Sequence, residues 1–390
     1  MRWSKGALYT AKVLPSYVWQ RLSHRSLSGP VHLIFALVDH FEPYIDPLGG
    51  MGRVKRGEQV RRVEWWCREY PKLIDPWRDH DGKPFVHSYF YSTEHYDPYL
   101  VEMLAEHCHA GWGEIEIHLH HGIPEPDTAE TLRRSLVAFR DALAFRHQCL
   151  AFEEGSQIPM YVFVHGNFAL ANSAGGVFCG VDSEMVVLAE TGCYADMTLP
   201  TGPGHSAQTA KISSLYECAL PLDQAAPHRK GTDLRVFRAP KTFPLIVQGP
   251  LTVDLGRGVK PRIENASITR NNPLSVRRLG LWKRAAVSVQ GRPDWLFIKL
   301  HAHGMDPLHK DSVTGAPMRN FLEELVRGAR DRKETLHFTS AREMVNIILA
   351  ACDGKEGDPG LYRDYRFKRF RDAPRTGGNY SAGPAHPYSA

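Results

Sequence analysis

Two histidine pairs close apolar runs in this 390-residue chain. The first run is Gly113-Glu114-Ile115-Glu116-Ile117-His118-Leu119-His120-His121-Gly122. The second is Trp295-Leu296-Phe297-Ile298-Lys299-Leu300-His301-Ala302-His303-Gly304. Alternate side chains of a strand share a face. His118 and His120 therefore point the same way, and so do His301 and His303. Two imidazoles converging at a strand end make a two-point metal grip or an acid/base pair. Leu33–Val38 runs into Asp39, His40 and Glu42, and Met160–Val164 into His165, Gly166 and Asn167. A carboxylate directly after six apolar residues can ligate a metal or act as a base. A helix N-cap or a turn is its ordinary alternative.

One carboxylate plus two imidazoles leaves open positions for water and substrate. Asp39, His118 and His120 are therefore the expected metal ligands. His40 and Glu42 support the same site, and the choice between Asp39 and His40 as ligand stays open. His121 is expected to face away from the pair. Glu114 and Glu116 share the face of His118 and can orient its ring, as ligating histidines require. His301 is the expected general acid, with His303 on the substrate side. Asn167 offers a donor to a substrate carbonyl, and His165 either binds substrate or is a third ligand. For each histidine the ordinary alternative is a core imidazole satisfied by backbone. The chain has no Walker loop, no GxSxG elbow and no HExxH helix.

These residues need rigid elements beneath them. Helix-like stretches at 57–70, 98–109, 128–152 and 318–332 alternate with the strands. Thr335–Thr339 leads into a last helix at 340–350, where Ser340 and Glu343 form a capping box. The expected fold is α/β, an irregular (β/α) barrel with its site at the C-terminal strand ends. Residues 171–290 are rich in Gly, Pro, Ser and Asn and read as long substrate-side loops. A small β insertion is expected there, with strands at 233–238 and 243–247.

Residues 1–29 read as a basic amphipathic helix packed on the 30–352 body, with peripheral membrane contact as the alternative. Residues 353–390 form a basic, aromatic tail. Its Tyr362–Arg371 stretch packs on its own domain or, in the alternative, meets RNA or an anionic surface. The net charge of +5 lies in the N-terminal arm, so no nucleic-acid partner is expected. The seven cysteines are scattered without a CxxC pair, which suits reduced thiols in a cytoplasmic protein. No apolar run has the length of a membrane span.

Four segments resemble the polysaccharide deacetylases of the NodB-homology type. Val38-Asp39-His40 stands where that family has a strand and paired aspartates, with His40 in place of the second Asp. Glu116-Ile117-His118-Leu119-His120-His121 is similar to its metal-binding motif. The compact His-x-His is closer to the YdjC-like branch. Lys299-Leu300-His301 is similar to its last motif, whereas Val164-His165-Gly166-Asn167 holds the place of a substrate motif without matching it. The resemblance implies a polysaccharide-deacetylase barrel and a divalent metal, zinc first. It also implies hydrolysis of an N- or O-acetyl group from a sugar or polysaccharide intermediate, with Asp39 or His40 as base. Surface or exopolysaccharide biosynthesis is the associated process. The competing expectations are a glycoside hydrolase on a related barrel, which needs two carboxylates flanking the bond, and a glycan-binding pseudoenzyme.

Overall fold

The computed structural model describes residues 15, 17–18, 30–46, 54–156, 158–200, 211–219, 221–254, 256 and 262–372. The expected N-terminal helix, apart from residues 15, 17 and 18, lies outside them, as does the tail beyond 372. The strands are β1 (Val31–Phe41), β2 (His87–Ser92), β3 (Gly113–Leu119), β4 (Ala151–Glu153), β5 (Tyr161–His165), β6 (Cys193–Asp196), β7 (Leu215–Cys218), β8 (Gly231–Asp233), β9 (Leu245–Val247), β10 (Thr252–Asp254), β11 (Arg262–Glu264), β12 (Trp295–Ala302), β13 (Glu334–Thr339) and β14 (Phe367–Arg369). The α-helices are α1 (Arg56–Ile74), α2 (Pro98–His107), α3 (Ala129–Asp141), α4 (Glu184–Glu190), α5 (Val276–Ala285), α6 (Lys310–Thr314), α7 (Ala316–Gly328) and α8 (Ala341–Cys352).

The fold is mixed α/β around a mostly parallel sheet, and β1 organises it. A continuous apolar run suits a strand covered on both faces. Leu33, Phe35 and Leu37 join the apolar layer under α1, α2, α3 and α7. Ile34, Ala36 and Val38 join a second layer that contains α8. One edge of β1 pairs in parallel with β12. The other edge pairs with β13 along its first half and with β2 along its second. The sheet continues in parallel through β3, β5, β6 and β9, and ends in antiparallel β7 and β8. This pairing does not by itself close a barrel. The ammonium of Lys299 on β12 does reach the carbonyls of Met197 and Leu199 just past β6, so distant strands meet across the second layer.

The helices start where local chemistry says they should. Asp97 accepts the Tyr99 and Leu100 N–H groups ahead of α2, with Pro98 in the first turn. Thr128 caps α3. The Ser340–Glu343 capping box is present at α8. Each cap satisfies amide groups that the first turn leaves open. The span read as substrate-side loops differs from expectation, because β6 and β9 lie within it and belong to the central sheet. The strand expected at 233–238 ends at Asp233. Arg235 pairs with Arg238 across a turn, and Phe237 there has positive φ and is 80% exposed.

The described part of the tail packs on the domain. β14 pairs with β4, and Phe367 stacks on Tyr194 at 3.9 Å. All seven cysteines are free thiols. Among the described residues no helix is long and apolar enough to cross a membrane.

Arg342 ties these parts together. It is 1% exposed and binds Glu114 of β3 at 2.7 Å, Asp364 at 2.6 Å and the Phe367 carbonyl at 2.8 Å. Removing one partner of a buried ion pair leaves the others uncompensated. Arg342→Leu is expected to lower stability by about 3–5 kcal/mol, read as a reduced denaturant midpoint.

Candidate metal centre

The C-terminal ends of β1, β3 and β12 bring five side chains together. His40 is the tenth residue of β1, and Glu42 follows the strand by one residue. His118 is in β3 and His120 just beyond it; His303 follows β12. Glu42 is the shared member of two candidate ligand groups. One is Glu42, His118 and His120, and the other is His40, Glu42 and His303. Within each group the ligand atoms lie within 4.8 Å of one another. The His40 ring stands 4.5 Å from both the His118 and His303 rings.

Hydrogen bonds set how the imidazoles point. The Val164 carbonyl of β5 lies 3.0 Å from His118 Nδ1. A carbonyl only accepts, so Nδ1 carries the proton and a neutral His118 presents a lone pair at Nε2. His120 Nδ1 donates to Glu94 Oε1 at 2.6 Å, which likewise leaves Nε2 free. Both Nε2 atoms face the same oxygen, Glu42 Oε1, at 3.3 and 3.5 Å. Two lone pairs and an anion converging on one place need a cation between them, either a ring proton or a metal ion. Outer acceptors on Nδ1 are what metal-ligating histidines carry. The donor set therefore fits a divalent ion.

Without an ion, ring protons supply that cation: burial pushes the His120 pKa down, but the Glu94 and Glu42 carboxylates outweigh it and raise it. Burial pushes the Glu42 carboxyl up, but His118, His303 and His120 outweigh it and hold the pKa below the usual range. Tyr44 Oη adds a hydrogen bond to Glu42 at 3.1 Å. For Glu94 too, burial is outweighed, here by hydrogen bonds from His120 and His95. Burial and the surrounding imidazoles hold His40 well below the ordinary histidine value, so it is neutral near pH 7.

The structure places the remaining expected residues as follows. Asp39 points to the opposite face of β1 from His40. Its Oδ1 accepts the Gly304 N–H at 2.6 Å, and Oδ2 lies 3.5 Å from His87 Nε2. It does not join His118 and His120. Glu42 occupies the place beside His118 and His120 that was expected of Asp39, and the i, i+2 rule applied to His40 would have found it. His301 has its backbone paired with Ala266 and Ile268, and burial holds its pKa down to about 3. His165 ends β5 but sits with His121, Cys179 and Glu184. Asn167 Nδ2 is buried without a protein hydrogen-bond partner. Glu116 accepts the Val162 N–H and Glu114 binds Arg342, so neither orients His118. Glu94, the outer partner of His120, carried no signal in sequence because its role depends on where β2 lies beside β3.

No family model matches this chain, and no curated protein matches it.

Burial raises the Asp39 pKa from 3.8 to about 7, with the Glu42 charge adding to it. The folded protein thus keeps a proton there that the unfolded chain releases near pH ~4. That contribution to stability is full below pH ~4 and is lost as pH rises through about 7. In metal-free protein, Asp39→Asn is expected to flatten the fall in stability over this interval, measured by denaturant titration at several pH values. An unchanged profile would show that Asp39 is already ionised in the fold.

Proposed function

We propose that the chain is a metal-dependent hydrolase that removes an acetyl group from an amino sugar or polysaccharide intermediate. Its ion, zinc first, is held by Glu42, His118 and His120, with His40 and His303 alongside. We read the sheet as an irregular barrel of the polysaccharide-deacetylase kind, which four of its segments resemble, working in the cytoplasm. The observation that carries the reading is the pair of Nε2 lone pairs, each locked by an outer acceptor, aimed at one buried carboxylate oxygen.

A divalent ion bound there would polarise an acyl carbonyl and ready a water for attack near neutral pH. The protein's own groups do the rest. Neutral His40 accepts the proton of the attacking water. Protonated His40 then returns that proton to the departing amine or alcohol, with the His303 ring 4.5 Å away alongside it. Glu42 stays ionised throughout, held there by its imidazole partners. Beside the strand end, a cleft of about 260 Å³ is lined by Trp65, Trp66, Met305, Pro307 and Lys310.

Metal content and acetate release from acetylated amino sugars test this together. Glu42→Gln and His118→Ala are expected to lose an ion and the activity, while Asp39→Asn keeps the ion. Glu94→Gln should weaken metal affinity by about 10–100-fold, the usual effect of removing an outer partner. Ion content untouched by both Glu42→Gln and His118→Ala would sink the reading. Sugar binding without any hydrolysis would favour a glycan-binding protein instead.

A further inference from the structure

His121 leaves the end of β3 on the other side from His118 and His120. It meets His165 from the end of β5, Cys179 from the Gly-rich segment that follows, and Glu184 from the first turn of α4. Their ligand atoms lie within 4.8 Å of one another. Exposure is 7% for His121 and 0% for the other three. Glu184 Oε1 is 3.2 Å from His121 Nε2 and 3.9 Å from His165 Nε2, and Glu184 Oε2 is 3.5 Å from Cys179 Sγ. Tetrahedral zinc with ordinary Zn–N and Zn–S lengths places ligand atoms roughly 3.3–3.8 Å apart.

Three further observations suit a cation held among these groups. His165 Nε2 is buried, faces Glu184 at 3.9 Å and has no hydrogen-bond partner, while Nδ1 accepts a long contact of 3.4 Å from the Ala169 N–H. A buried polar atom left so is costly. His121 Nδ1 donates to Asp127 at 3.0 Å, so Nε2, 3.2 Å from Glu184 Oε1, offers its lone pair to the cluster once an ion displaces its proton. The Asn172 and Val181 N–H groups point at Cys179 Sγ at 3.3 and 3.5 Å. Those two donors would meet the sulfur lone pairs of a metal-bound thiolate.

We propose that His121, His165, Cys179 and Glu184 form a second metal site, closed and zinc-type, distinct from the one at Glu42. Four protein ligands with no open position mark a structural site, not a catalytic one. On binding, Cys179 gives up its thiol proton to solvent and its sulfur becomes a ligand. The ion pins the segment from 166 to 183 onto β3 and β5. That segment has little regular structure to hold it, and Phe168, Ala171, Asn172 and Phe178 all have positive φ. Gly122, at φ +68°, lets the Cys179 backbone approach: a Cβ there would stand 2.3 Å from the Cys179 carbonyl oxygen. The pinned segment carries Phe168, whose ring lies 6.1 Å from that of His40. The second ion thereby shapes the rim of the first site without taking part in its chemistry.

Cobalt(II) replacement in the full-length protein tests this independently of any activity. Metal-free protein is titrated with cobalt and its near-ultraviolet spectrum recorded. A thiolate-to-cobalt charge-transfer band is expected in the wild type and in Glu42→Gln, because only the second site contains sulfur. The band should vanish in Cys179→Ala, with the loss of one ion per chain. Cys179→Asp, which offers a replacement ligand and guards against a variant that fails to fold, should keep the ion and lose the band. A wild-type protein without the band, or a band that survives in Cys179→Ala, would overturn the proposal. Loss of an ion in Glu42→Gln bears on the other site alone, so the two readings stand or fall separately.

Discussion

Glu42 holds a charge where there is almost no water. Taking a carboxylate out of water costs several kcal/mol unless partners replace its hydration. Here the partners are the Tyr44 hydroxyl and the cation, ring proton or metal ion, between Glu42 and the Nε2 atoms of His118 and His120. Those rings are held in turn by the Val164 carbonyl and by Glu94. Each link lies on a different element. Val164 is opposite His118 only because β3 and β5 pair in that register. The site therefore depends on the sheet register, and a slip of one residue would turn both histidines to the other face.

The sheet can hold such a site because its own interior is apolar on both sides of β1. Close-packed layers leave the strands little freedom to shift. Polar groups gather where ladder pairing ends and side chains need no longer fit an apolar layer. In parallel sheets those C-terminal ends are where ligands bind. The end of β3 serves two clusters, because consecutive residues point to opposite faces. His118 and His120 turn toward Glu42, whereas His121 turns toward Glu184. Gly166, just past β5, lets the His120 ring come close: a Cβ there would stand 2.2 Å from it.

Much of the architecture was legible in the residues. The capping box at Ser340, the helices that follow the strands and the apolar runs themselves are local patterns. So was the meeting of His118 with His120, which rests on strand period alone. The middle of the chain was harder. β6 is four residues long, too short to show a period among glycines and prolines, whereas β9 falls inside the strand expected at 243–247 but belongs to the central sheet and not to a small insertion. The exposed turn at Phe237 cut short a strand that the β-branched and apolar residues around it suggested.

The sequence by itself determined which residues can do chemistry and which of them share a face within one strand, because backbone geometry makes that alternation local. It did not determine which face of β1 meets which face of β3. Every residue from Leu33 to Val38 is apolar, so the pattern carries no parity and Asp39 and Glu42 look equally suited to the site. Only tertiary packing breaks that tie. With α1 against one face of β1, Asp39 turns toward Gly304 and His87, while His40 turns with Glu42 toward the imidazoles. The same is true of Cys179 and Glu184, which reach His121 and His165 across long stretches of chain. Their chemistry exists only once β3 and β5 lie side by side.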